Sequence, residues 1–186
     1  MKNAIILHGT GSTPNSFWHP SIKTFLEKLG YTVWVPQLPE ANTPKLQTQL
    51  PFILNDGQFN NDTVLIGHSA GCPLLLSVLE NISVKVSKAV LVSGYARAKG
   101  DFKEEPILQA TYNWKKIKEN ADDITYINSD NDPWGCNDEE GLYMWKRLGG
   151  TLILREGDGH MGSEKFKQPY TNFPLLEKLL GLRVKG

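Results

Sequence analysis

The 186-residue chain has no excess of charge of either sign, since 20 Lys and Arg residues face 20 Asp and Glu residues. With no long basic run, it offers no electrostatic footprint for nucleic acid or anionic lipid. No apolar stretch approaches the roughly 20 residues that a membrane-spanning helix needs. The opening residues hold only the short apolar run Ala4 to Leu7, well below the core of a secretory signal, so secretion gains no support and a cytoplasmic location is expected. Cysteine is scarce. Cys72 and Cys136 lack metal-type spacing, and in a reducing compartment two buried thiols are expected rather than a bridge or a metal pair. Internal repeats, low-complexity tracts and interdomain linkers are also missing.

What the chain does contain is an ordinary globular composition, 40% hydrophobic and 22% charged, in a length suited to one domain over residues 1–186. Short, nearly continuous apolar runs predict six strands: Ala4 to Leu7, Thr32 to Val35, Thr63 to Ile66, Lys88 to Val92, Ile124 to Ile127 and Thr151 to Leu154. Runs of that kind suit strands buried on both faces. Between them, periodic segments predict helices over Pro20 to Leu29, Pro44 to Leu54, Gly71 to Leu79, Trp114 to Asn120, Asn137 to Leu148 and Pro174 to Leu180. The first places Ile22, Phe25, Leu26 and Leu29 on one face and stops at Gly30. Asn137 followed by Asp138, Glu139 and Glu140 supplies a cap and dipole-matched charge. Strand and helix alternate, which predicts a three-layer α/β sandwich on a mainly parallel sheet. Ser93 to Asn113 has no clear period and reads as a long excursion, either a cover for the site or a plain surface loop.

The chemistry centres on Gly67-His68-Ser69-Ala70-Gly71. The GxSxG pattern is only moderately specific, but here it follows a strand and opens a helix, the setting of a nucleophile elbow. Glycines beside the serine leave room for a sharp, strained turn that lifts the hydroxyl above the sheet. A serine needs a histidine base and a group to orient it. Of His8, His19, His68 and His160, only His160 lies after the last strand, on the Gly-rich loop Arg155 to Gly162, where this architecture places its base. Between serine and histidine, Asp130 and Asp132 follow the fifth strand and are near equals by spacing, with Asp158 a weaker rival. Backbone N–H groups of Ala70, after the nucleophile, and Thr10, in the early Gly loop, are candidates for an oxyanion hole. That early loop starts a dinucleotide pattern at Gly9 and Gly11, but Pro14 replaces its third glycine and no ribose-binding acid ends the second strand, which excludes a nucleotide role. Trp18, Tyr95, Phe102, Tyr112 and Trp134 could line an acyl pocket, yet as aromatics they read first as packing residues.

The early Gly loop, Ile66 to Gly71, Val90-Leu91-Val92-Ser93-Gly94-Tyr95, Trp114 to Lys118, Ser129 to Pro133 and Gly159-His160 together resemble the small serine-hydrolase family typified by retinoblastoma-binding protein nine and its bacterial relatives. The resemblance implies an α/β-hydrolase fold without a large cap domain and an esterase-type activity on a small acyl substrate, with neither cofactor nor metal. It also implies that the acid is the Asp before Pro, hence Asp132 rather than Asp130. The same triad could instead serve thioesterase, amidase or acyltransferase chemistry, or the fold could persist as a silent binding protein. No retinoblastoma-type partner is expected, since neither Cys72 nor Cys136 lies in an LxCxE sequence.

Overall fold

A computed structural model describes residues 1–99 and 105–181. Six strands, β1 (Asn3–Leu7), β2 (Thr32–Trp34), β3 (Val64–His68), β4 (Val86–Val92), β5 (Ala121–Ser129) and β6 (Thr151–Arg155), alternate with six helices. These are α1 (His19–Lys28), α2 (Leu46–Asp56), α3 (Gly71–Asn81), α4 (Trp114–Glu119), α5 (Asp138–Leu148) and α6 (Pro174–Gly181). All neighbouring strands pair in parallel, in the order β2-β1-β3-β4-β5-β6. The order reverses between β1 and β3, and open α/β sheets bind ligands beyond the carboxyl ends of the strands at such a switch.

Successive residues of a strand point to opposite faces, and here both faces are covered. Ile5, Leu7, Leu65, Leu91 and Tyr126 pack against α2, α3, α4 and α5 through Ile53, Leu75, Ile117 and Met144. Ile6, Ile66, Val90, Val92 and Ile127 meet Ile22 and Leu26 of α1 and Leu176 of α6. This explains why the strands carry continuous apolar runs, each fully buried aliphatic side chain contributing about 1.5–3 kcal/mol. Helix α3 is buried from Gly71 to Leu79. The result is the expected three-layer α/β sandwich.

The expected elements all form, with shifted ends. Helix α2 starts at Leu46 rather than Pro44 and carries Pro51 inside. Asn137 sits at the N-cap of α5, but its side chain makes no capping hydrogen bond, so the acidic first turn, with Lys146 and Arg147 in the last, answers the helix dipole. The described parts of the excursion, residues 93–99 and 105–113, contain neither helix nor strand. Cys72 and Cys136 are free and buried. Among the described residues no helix is long and apolar enough to cross a membrane.

Candidate active site

Ser69 directly follows β3 and precedes α3, and its φ of 54° lies in the left-handed region that costs a side-chain-bearing residue about 1–3 kcal/mol. The strain is held in place. Ser69 N–H donates to the Val92 carbonyl at 3.0 Å, and Cys72 N–H donates to the Ser69 carbonyl at 2.9 Å. The flanking glycines serve close approach: a Cβ on Gly71 would lie 2.1 Å from the Leu7 carbonyl oxygen, and one on Gly67 would lie 2.8 Å from the Gly71 carbonyl oxygen. Helix α3 can therefore press its first turn onto the end of β1, which aims its N-terminus at the switch point.

Asp132 and His160 meet. His160 Nδ1 lies 2.7 Å from Asp132 Oδ2, both residues are buried, and the other carboxylate oxygen accepts from Trp134 N–H at 2.8 Å. A carboxylate accepts, so Nδ1 carries the proton and Nε2 is left as the basic nitrogen. His160 and Ser69 line the same cavity of about 730 Å³. Among the described residues the Ser69 hydroxyl forms no hydrogen bond, so it is free to meet a molecule in the cavity. Thr10 lines that cavity as well, while Ala70 is the buried N-cap of α3. Neither backbone N–H donates to another described residue.

The rival aspartates have other duties. Asp130 accepts from Gly157 N–H at 2.8 Å, and Asp158 pairs with Arg155 at 2.6 Å and accepts from the Tyr170 hydroxyl at 3.2 Å. Asn131 accepts from Gly159 N–H at 2.8 Å. The loops bearing Asp132 and His160 are thus stitched together by side-chain to backbone bonds that turn residues supply.

Cavity and core divide the aromatics. Tyr95 and Trp134 line the cavity, Trp18 is in the core, Tyr112 packs against α3 and α4, and Phe102 lies outside the described residues. The cavity wall also holds a half-hidden ion pair, Lys99 to Glu105 at 2.7 Å, with the Lys99 ammonium 3.2 Å from the Tyr95 ring centre. The Asp132, Cys136 and His160 ligand atoms lie within 4.8 Å of one another. A metal ion there would have to displace the proton shared by Asp132 and His160 and a second one from Cys136, whose thiol burial holds protonated.

Sequence spacing gave no warning that the other three histidines converge here. His68 lies against His160, with ring centres 5.1 Å apart, and against His19 at 5.8 Å. His8 Nε2 accepts from Leu38 N–H at 3.1 Å. Burial lowers the pKa of His8, pushes that of His19 down to about 4, and, with the charge of His160 as the next cause, holds that of His68 well below the ordinary value.

A parallel sheet with Ser69 on a strained turn at its switch point, and the Asp132–His160 pair at the same cavity, is compatible with a serine hydrolase. The chain belongs to the serine hydrolase family, whose model matches residues 4–181. It is 27% identical over 167 residues to serine hydrolase RBBP9 of Rattus norvegicus, covering 87% of each chain. To the protein YdeN of Bacillus subtilis (strain 168) it is 27% identical over 135 residues, 70% of this chain and 71% of the relative. The crystal structure of the B. subtilis ydeN gene product superposes with a TM-score of 0.87 at 23% identity, over 97% of both chains. Mouse alpha/beta hydrolase domain-containing protein 10 gives 0.69 at 14% identity, over 96% of this chain and 87% of the other.

Proposed function

We propose that the protein cleaves a small carboxylic ester through an acyl-enzyme formed on Ser69. His160 Nε2 takes the hydroxyl proton as Oγ attacks the carbonyl carbon, and Asp132 holds the imidazole in the Nδ1–H tautomer and stabilises the imidazolium that results. The N–H groups of Thr10 and Ala70 receive the carbonyl oxygen as it becomes negative. His160 then returns the proton to the leaving alkoxide. Water, deprotonated by the same nitrogen, attacks the acyl carbon, and Ser69 Oγ leaves with that proton as the acid is released. The observation that carries the reading is the 2.7 Å Asp132–His160 bond, oriented to leave Nε2 basic, on the wall of the cavity that also receives Ser69. A cavity of about 730 Å³ suits one small organic molecule.

A cytoplasmic location, a single domain and a lack of nucleic-acid, membrane or retinoblastoma-type partners go with this proposal, supported by the balanced charge and by the sequences around both cysteines.

Labelling with a fluorophosphonate probe, together with hydrolysis of short and medium p-nitrophenyl esters, tests the reading. Wild type is expected to label and turn over, and Ser69→Ala to do neither. A wild-type protein that neither labels nor hydrolyses refutes the esterase reading and leaves a binding role. Labelling with turnover of thioesters or amides but not esters keeps Ser69 and changes the substrate class.

A further inference from the structure

The backbone carbonyl of His160 accepts two buried side-chain donors, His68 Nε2 at 3.0 Å and Ser93 Oγ at 2.9 Å. The next carbonyl, of Met161, accepts from Trp18 Nε1 at 2.9 Å. We infer that His68 and Ser93 are positioning residues, which grip the His160 carbonyl and so fix the imidazole between Asp132 and Ser69; the inference rests on the reading of His160 as the base.

A carbonyl oxygen can only accept, so His68 carries its proton on Nε2 and turns a bare lone pair outward on Nδ1. That nitrogen is buried and has no partner among the described residues. An unmade hydrogen bond in such a place costs about 1–3 kcal/mol. A position that needed packing alone would be better filled by leucine or phenylalanine, so the cost points to the work of the other nitrogen.

The grip comes from rigid ground. His68 ends β3 and immediately precedes Ser69, so the residue that holds the base adjoins the nucleophile. Ser93 follows β4 with a φ of 46°, the same left-handed turn that Ser69 makes one strand away, and its N–H donates to the Ile127 carbonyl of β5 at 2.8 Å. The His160 loop, by contrast, runs through left-handed backbone at Gly157, Gly159, Met161 and Gly162, and its N–H groups are held by side chains of other loops, Gly159 by Asn131 and His160 by Gln168 Oε1 at 2.9 Å. Docking its carbonyls onto the ends of β3 and β4 ties the loop to the sheet itself. Misplacement of a reacting group by about 1 Å costs on the order of a hundred-fold in rate.

His68 also has to stay neutral when His160 becomes an imidazolium. The titratable groups whose charges act on it are His160, His19 from α1 and His8 from the end of β1. All three are imidazoles that disfavour a second positive charge, and the rings of Phe17 and Trp18 pack edge-on against it.

Three variants decide the matter: His68→Leu removes the donor, His68→Gln keeps an N–H donor, and Ser93→Ala removes the second donor with little loss of volume. With p-nitrophenyl acetate, His68→Leu is expected to lower kcat about ten- to hundred-fold with KM nearly unchanged, and His68→Gln to recover most of the loss. The double variant His68→Leu with Ser93→Ala should lose more than the two single effects combined, because both donors serve one oxygen. Proton NMR gives a readout apart from catalysis: the Nδ1–H of His160, protected by Asp132, should exchange faster in His68→Leu than in wild type or His68→Gln. Equal kcat and equal exchange in folded His68→Leu overturn the inference, as does a His68→Gln protein as impaired as His68→Leu. If His68→Leu does not fold, Ser93→Ala is compared with wild type on the same kcat and exchange readouts, and no change in either overturns it. A wild type without esterase activity sinks the proposed function, whereas the exchange measurement still decides the grip.

Discussion

Acid should weaken this fold through its buried histidines, and the share of His19 can be worked out. His19 is fully buried, its Nδ1 donates to the Thr13 carbonyl at 3.3 Å, and its Nε2 has no partner among the described residues. Burial is the main cause of its low pKa of about 4, against an ordinary 6.5. The unfolded chain therefore takes up this proton near pH 6.5 and the folded chain only near pH 4. His19 contributes its full stability above pH 6.5, and the contribution is lost as pH falls from there toward 4. Between pH 7 and pH 5 the loss from this residue is about 2 kcal/mol by the linkage relation. His8 and His68 are shifted in the same direction and add to it. With a urea m-value of about 2 kcal/mol/M, the His19 share alone lowers the denaturation midpoint by about 1 M. His19→Leu, which has no proton to take up, should show a fall smaller by that amount between the same two pH values. A wild type with equal midpoints at pH 7 and pH 5, or a His19→Leu protein that falls as far as wild type, refutes the reasoning.

Two further substitutions separate neighbouring roles. Asp132→Asn should cut kcat by about 10³- to 10⁴-fold, because an amide cannot hold the Nδ1–H tautomer in the same way. Asp130→Asn, which keeps an oxygen for Gly157 N–H, should stay within tenfold of wild type; the reverse ranking in a steady-state ester assay would reassign the acid. In Gly9→Ala the new Cβ would lie 2.8 Å from Ser69 Cβ, so turnover should drop at least tenfold while thermal unfolding reports a loss of about 1–3 kcal/mol. An alanine variant as active as wild type would mean that the Gly9 loop does not press on Ser69.

The strands were legible in the sequence because a sheet covered on both faces needs apolar residues at consecutive positions. Legibility stopped where strands turn polar. β5 begins at Ala121, three residues before the apolar run, since Asp123 pairs with Lys88 of β4 at 2.9 Å. For the site, Ser69 and His160 stand out by order along the chain and by the glycines around them. Asp130 and Asp132 could not be told apart by position, because what separates them is the direction of two side chains two residues apart. His8, His19 and His68 gave no signal at all. They come from the end of β1, the start of α1 and the end of β3, and only the crossover between β1 and β3 brings those places together.

The bonds from Ser69 N–H to Val92 and from Ser93 N–H to Ile127 make the sheet a ruler for the chemistry. A one-residue slip of β4 would move its carbonyls by about 3.3 Å and turn its side chains to the other face. The slipped strand would withdraw the anchor of Ser69 and misplace Ser93 in one step. Turnover therefore reports strand alignment: during refolding, ester hydrolysis should return only when β3, β4 and β5 have found their register, later than the recovery of helical content.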